Sequence, residues 1–233
     1  MFLKNCFKLI IHLLILPSIC FAQKSNDSIS IKKELSEVKI HAIKAGKTTP
    51  VSFTNISKSE IEKVNLGQDL PYLISLTPSV VSSSDAGAGV GYTNFRIRGT
   101  DATRINVTIN GIPLNDSESQ GVWWVNMPDF SSSLDNIQIQ RGVGTSTNGA
   151  GAFGGSINLT TNKISQKPYF LTENTIGSFA TLKNNIKFGT GLINSNFTFD
   201  GRLSKISSEG YIDRASSDLQ SLYLQGAYFG TRT

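Results

Sequence analysis

Ile137-Gln138-Ile139-Gln140-Arg141-Gly142-Val143-Gly144-Thr145-Ser146-Thr147-Asn148-Gly149-Ala150-Gly151-Ala152-Phe153-Gly154-Gly155-Ser156-Ile157-Asn158-Leu159-Thr160 is the stretch on which the reading of this chain turns. Ile137 to Gln140 alternates as a strand, Gly142 to Gly155 is dense in glycine, and Ser156 to Thr160 is a second strand. Such glycine density lets backbone pack closely against its surroundings. It also invites a nucleotide-binding reading, which fails on spacing. Gly144 to Ala150 lacks the Lys-Ser/Thr of a phosphate loop, and Gly87-Ala88-Gly89-Val90-Gly91-Tyr92 lacks the third spaced glycine of a dinucleotide fold. No cluster of acid, base and nucleophile is visible, so a hydrolase or dehydrogenase has only glycines in its favour, and no enzyme activity is expected.

Upstream, Asn94 to Arg98 and Arg104 to Ile109 read as strands, with Asn110-Gly111 as a turn. Ser57-Lys58-Ser59-Glu60 is a capping box, followed by Ile61 and Val64 on one helical face and Gly67 as the stop. A second short helix is expected from Asp69 to Leu76, capped by Asp69, with Pro71 in its first turn and Pro78 ending it. Both helices are expected to cover one side of a small mixed sheet, making residues 45–165 a compact α+β domain.

Downstream, from Tyr169, the texture changes. Ala180, Leu182, Ile186 and Phe188 alternate with Thr181, Lys183, Asn185 and Lys187. Ile193, Phe197, Phe199 and Leu203 then share one side, opposite Asn194, Asn196, Thr198, Asp200, Arg202 and Ser204. Leu219 to Phe229 alternates less cleanly, with Leu222 and Leu224 opposite Leu219 and Tyr223. Runs of about ten residues joined by short turns fit tilted membrane strands, although a soluble sandwich also alternates.

What tips the balance is the N-terminus. Lys4 and Lys8 precede the apolar run Leu9 to Leu16, which closes on Cys20-Phe21-Ala22 before Gln23: a secretory signal occupying 1–22, with cleavage expected after Ala22. Ile19 is too bulky to precede an acylated Cys20. Processing leaves 20 basic against 17 acidic residues, a net charge of +3, too mild to imply nucleic acid. Both cysteines depart with the signal and His41 remains as the only histidine, so neither a disulfide nor a zinc or heme site is expected, and no cofactor. Residues 23–44 read as a flexible lead-in holding one alternating stretch, Leu35 to Ala42. A strand without a nearby hairpin partner suits addition to another protein's sheet edge; pairing inside its own domain is the other possibility.

Together these residues resemble the TonB-dependent receptor family, in the form common in Bacteroidota-type bacteria. Glu37-Val38-Lys39-Ile40-His41-Ala42 looks like the TonB box, and Thr49 to Ser57 resembles the start of the plug. Leu76-Thr77-Pro78-Ser79-Val80, Phe95-Arg96-Ile97-Arg98-Gly99, Ile109-Asn110-Gly111-Ile112-Pro113-Leu114, Ile137 to Gly142 and Gly149 to Thr160 follow in the family's order. The resemblance implies an α+β plug domain (a small mixed sheet with short helices) inside a barrel of about 22 strands. Residues 166–233 then hold the first antiparallel strands of a truncated transmembrane β-barrel, about four in number, and the sequence reads as a fragment.

By the same resemblance, Arg98 and Arg141 match plug arginines that pair with barrel glutamates and lock the plug. Asp116, Glu118, Trp123 and Trp124, in the polar loop after Pro113, are candidates for a plug apex touching ligand; packing is the competing role for the two tryptophans. The implied function is active uptake of a scarce nutrient across the cell outer membrane, driven by TonB and its inner-membrane energising complex, with outer membrane lipid around the barrel. An iron-siderophore complex is the leading ligand; cobalamin, heme and a glycan are alternatives. A rival from another class is a plug-only periplasmic binding or signalling module.

Overall fold

A computed structural model describes residues 44–46, 49–144, 148–149 and 151–230. The signal segment, the TonB-box stretch 37–42 and His41 therefore lie outside the described residues. Twelve strands and two short α-helices are described: β1 Ser52–Ser57, α1 Lys58–Val64, α2 Leu70–Leu73, β2 Val80–Ser84, β3 Thr93–Ile97, β4 Thr100–Asp101, β5 Ile105–Ile109, β6 Ile112–Pro113, β7 Leu134–Arg141, β8 Gly155–Thr161, β9 Pro168–Ile176, β10 Leu182–Thr190, β11 Phe197–Ser208 and β12 Ser217–Tyr228.

α1 starts where the sequence places it. The Glu60 carboxylate accepts from the Ser57 amide at 2.7 Å and from its hydroxyl at 2.6 Å, and Ile61 turns into the core. α2 is a single turn rather than the longer helix expected. Asp69 precedes it, Pro71 sits in it, and Ile74–Thr77 already bends away toward Pro78.

The strands form three sheets. Five pair in the order β1-β7-β8-β5-β6, with β5 and β8 parallel and the other pairs antiparallel. β2-β3-β4 form a separate antiparallel sheet. The two helices do not cover one side of one sheet: α1 packs on β1 and β7, whereas α2 packs on β2 and β3. The cause is local. Arg98 and Gly99, at φ 52° and 77°, make a two-residue turn that folds β3 back onto β4, so β3 spends its pairing edges on β2 and β4. Asn110-Gly111 makes the same kind of turn at φ 52° and 87° between β5 and β6, as expected from sequence.

Pleating divides the five-stranded sheet sharply. One face carries Ile56, Ile137, Ile139, Val107, Ile157 and Leu159, the centre of the hydrophobic core. The other carries Gln138, Gln140, Ser156, Asn158 and Thr108, also buried although polar.

β9 to β12 form an antiparallel up-and-down sheet. Phe170, Ile186, Phe188, Phe199, Leu203 and Leu222 are exposed on its outer face. Lys183, Asn185, Thr198, Asp200, Arg202 and Ser204 are buried on its inner face. The alternation read from sequence is thus a true two-sided wall, with polar groups turned toward the α+β domain. On β12 it is Tyr223 that faces inward, edge-on to Phe130 at 6.3 Å, while Leu222 and Leu224 point out.

Candidate functional site

Where the wall meets the α+β domain, the centre of the contact is Asp129. It lies just ahead of the 3-10 turn Phe130–Ser133, at φ 54°. A left-handed conformation is uncommon outside glycine but is tolerated by aspartate. Its carboxylate has no exposure and is gripped by two cations from the wall, Lys183 Nζ of β10 at 2.8 Å and Arg202 Nη1 of β11 at 3.1 Å. Ser132 Oγ donates to Oδ1 at 2.6 Å, and Asn185 and Ser204 of the wall donate to Oδ2. Burial alone would raise the Asp129 carboxyl, but Lys183 and then Arg202 outweigh it and hold the group below the usual carboxylate range.

The cations are themselves held. Lys183 also donates to Asn65 O and Ser132 Oγ, both at 3.2 Å, and Arg202 Nε donates to Ser133 Oγ at 2.9 Å. Such a node is strong only while complete, since removing one partner strands a buried charge. A second bridge lies toward β12: Asp200 Oδ2 accepts from Ser165 N at 3.1 Å and from Gln225 Nε2 at 3.3 Å. A third joins the glycine-bearing loop 85–92 to the wall, with Tyr211 N donating to Ala86 O at 2.8 Å.

Arg98 and Arg141 are brought together at one corner of the α+β domain. Arg98 Nη1 lies 2.9 Å from where a Cβ on Gly142 would stand, next to Arg141 in the chain. Arg98 is exposed, and Arg141 donates to Pro78 O at 3.2 Å and Ser52 Oγ at 2.8 Å. Neither reaches the β9–β12 wall in an ion pair among the described residues. The ion pairs that do join domain and wall run from an aspartate on the domain to cations on the wall, a contact separate from the one expected of Arg98 and Arg141.

The loop after Pro113 is built from within. Asn115 accepts from Val107 N at 2.8 Å and donates to Ile105 O at 3.0 Å and Gln120 O at 2.8 Å. Asp116 Oδ1 accepts from the amides of Ser119 at 2.7 Å and Glu118 at 3.1 Å, and the Ser119 amide bond leads in lowering its carboxyl. Glu118 and Trp123 are exposed. Trp124 is not available to a ligand: it is 3% exposed and packs 6.0 Å from Phe95 in the core. That corrects its inclusion among the apex residues. Adjacent residues point apart here because Trp124 opens a 3-10 turn that buries it.

An α+β domain seated against the polar face of an apolar-backed antiparallel sheet defines a plug and the wall of a transmembrane-type β-barrel. The chain carries the plug domain of TonB-dependent receptors. Residues 45–156 match the family described as TonB-dependent Receptor Plug Domain. The probable TonB-dependent siderophore receptor PirA of Acinetobacter baumannii is 23% identical over 124 residues, which are 49% of this chain and 16% of PirA. Among solved structures, the pyoverdine outer membrane receptor FpvA of Pseudomonas aeruginosa superposes with a TM-score of 0.63 at 18% identity, covering 78% of this chain and 26% of FpvA. The ferric yersiniabactin uptake receptor FyuA of Yersinia pestis gives 0.57 at 13%, covering 76% and 28%. The chain thus spans 16% of its curated relative and under a third of these receptors' lengths.

Proposed function

We propose that this chain is the N-terminal part of an importer in the cell outer membrane that takes up a ferric siderophore by active transport. The observation that carries the reading is the two-sided wall: hydrocarbon turned outward, and a polar face with a buried ion cluster turned onto the plug. That arrangement suits a plug filling a lipid-embedded barrel and serves no purpose in a soluble sandwich. Relatives named for siderophores favour an iron chelate over cobalamin, heme or a glycan. The ligand sits above the loop 114–123, with Glu118 and Trp123 as contacts and Asp116 shaping the turn between them.

Energy enters through residues 37–42, which add as a strand to TonB. Val38→Pro and Ile40→Pro each remove an amide donor from that strand. In the full-length receptor we expect uptake of radiolabelled ferric siderophore to fall at least tenfold in both variants, with equilibrium binding to intact cells unchanged. Normal uptake in both would remove the coupling role from this segment.

Arg98 and Arg141 form a second plug contact, meeting carboxylates on strands that follow residue 233. Alanine at both positions should leave barrel insertion intact and raise entry of a large hydrophilic antibiotic severalfold, measured as growth inhibition. Parental sensitivity in the double variant would reduce them to ordinary plug residues.

A further inference from the structure

The outer face of the wall is apolar over most of its height, but not all of it. Strand register sorts its outward residues into rows. Phe170, Phe188 and Leu224 stand in one row, and Thr172, Ile186, Leu203 and Leu222 in the next. The row after that differs in kind. Asn174, Asn184, Lys205 and Gln220 lie opposite one another on β9, β10, β11 and β12, and all four are exposed. Lys205 is thus flanked on both neighbouring strands by a side-chain amide, and among the described residues neither the Asn184 nor the Gln220 amide has a hydrogen-bond partner. Asp218 stands diagonal to Lys205 and pairs with it at 3.4 Å, with both side chains more than half exposed.

The depth of this row follows from the other end of the apolar band. There Phe197 and Tyr228, opposite each other on β11 and β12, hold their rings 4.8 Å apart. Aromatic rings on a barrel exterior favour the boundary between hydrocarbon and headgroups. Phe197 to Lys205 along β11 spans about 26 Å of strand, or about 20 Å of depth at a tilt of about 40°. The apolar band of a membrane barrel is about 25 Å tall. Lys205 therefore lies about two residues short of the far edge of the hydrocarbon, and its flexible stem carries the ammonium the remaining distance. On the importer reading, on which this step rests, that edge belongs to the outer leaflet. The chain arrives from the plug at the Phe197 end, where Thr198 Oγ1 and Leu192 N donate to Ser165 O and Gln166 O, each at 3.0 Å. Lys44, which follows the coupling segment, bonds to Thr160 near the start of that same connection.

We propose that Asn184, Lys205 and Gln220 form a headgroup site for a phosphorylated glycolipid of the outer leaflet, whose acyl chains lie down the rows of Ile186, Leu203 and Leu222. Lys205 supplies the charge that a phosphate requires, and the two amides supply neutral donors on either side. Residues opposite one another on neighbouring strands have Cβ atoms about 5 Å apart, so the three donors span about 10 Å, a width suited to a sugar phosphate. Asp218 competes for Lys205. An exposed ion pair of this kind is weak, however, whereas a phosphate offers several charged acceptor oxygens to the cation and both amides at once. The apolar rows beneath supply the second half of the recognition, because a lipid anchored at its phosphate lays its chains against them.

The test titrates the delipidated full-length receptor in detergent by native mass spectrometry with four probes: phosphorylated lipid A, the same lipid A with its phosphates removed, phosphatidylglycerol and inorganic phosphate. Phosphorylated lipid A should bind at least fivefold more tightly than each of the other three. Lys205→Gln should weaken its binding at least fivefold, and Asp218→Asn, which removes the competing carboxylate, should tighten it at least twofold. Equal binding by the parent and Lys205→Gln, or of the two forms of lipid A, overturns the proposal. So does phosphatidylglycerol bound as tightly through Lys205, because the site then reads any phospholipid, and inorganic phosphate bound as tightly, because the apolar rows then contribute nothing. No tightening in Asp218→Asn also counts against it. Lys205 faces away from the plug, so ferric siderophore uptake should be parental in Lys205→Gln. The importer reading fails separately: a receptor that takes up no ferric siderophore, yet binds phosphorylated lipid A through Lys205, keeps this site and loses its transport assignment.

Discussion

Asp129→Ala in the full-length receptor is expected to detach the plug from the β10–β11 wall, at a cost of about 3–5 kcal/mol to that interface. The size follows from what the substitution leaves behind. Lys183 and Arg202 are almost wholly buried, and without the carboxylate their two positive charges face each other with only hydroxyl and amide partners. Limited proteolysis should cut the plug readily while the barrel keeps its resistance to unfolding in detergent. The control is the triple variant Asp129→Asn, Lys183→Met, Arg202→Met, which removes the stranded charges and should recover most of the lost protection. Parental resistance in Asp129→Ala would show that the cluster does not hold plug to wall. The pH dependence follows from the depressed carboxyl. The carboxylate's contribution is fully present above its unfolded value near 3.8 and is lost as pH falls through the lower folded value. Between pH 5 and 8 this contact should therefore be constant.

Asp69 carries the opposite sign. It precedes α2, its Oδ2 accepts from Thr93 Oγ1 at 2.9 Å, and its amide donates to Gly89 O at 2.8 Å, tying α2 to the loop 85–92. Its Oδ1 is buried without a hydrogen-bond partner among the described residues, and burial pushes the carboxyl from 3.8 up to about 6 despite the Thr93 hydroxyl and the Gly91 amide, which both act to lower it. The folded plug then binds a proton more tightly than the unfolded chain. Asp69's favourable contribution is complete below pH 4 and disappears as pH rises through about 6. The gap corresponds to on the order of 3 kcal/mol of penalty at pH 7 and above. Asp69→Asn keeps an acceptor for Thr93 and removes the charge, so the plug should be more stable at pH 7.5 by up to that amount and lose its slope between pH 4.5 and 7. Hydrogen exchange at residues 89–93 reads both effects. A parent that shows no slope, or an Asn variant less stable at pH 7.5, would mean that Asp69 is paired in the complete receptor.

The two aspartates show where sequence reading stops. Ser57 and Glu60 announce α1 because a capping box is satisfied within four residues, and Asn110-Gly111 announces a turn because few other pairs tolerate both dihedrals. The wall was legible for a similar reason, since pleating repeats every two residues wherever Leu182, Ile186 and Phe188 alternate with Lys183, Asn185 and Lys187. Asp129 gave no such sign. Asn185 and Ser204, which donate to it, are 56 and 75 residues further on, and nothing in Pro128-Asp129-Phe130 distinguishes a loop carboxylate from a buried one. Gln138 was visible only as the polar member of an alternating strand, with its partner at Ala45 93 residues away.

Sequence alone determined the α+β class of the plug, the Ser57–Glu60 helix start, the Asn110-Gly111 turn, the first barrel strands and the greasy side of β10 and β11, because backbone dihedrals and the two-residue period are set by neighbouring residues. Only the tertiary structure decided that Trp124 is core and Trp123 surface, that the helices serve different sheets, and that plug meets wall through Asp129, Lys183 and Arg202. Burial is a property of assembled surfaces. A charge becomes a structural lock or an ordinary surface group according to what is packed against it, and distant segments supply that packing.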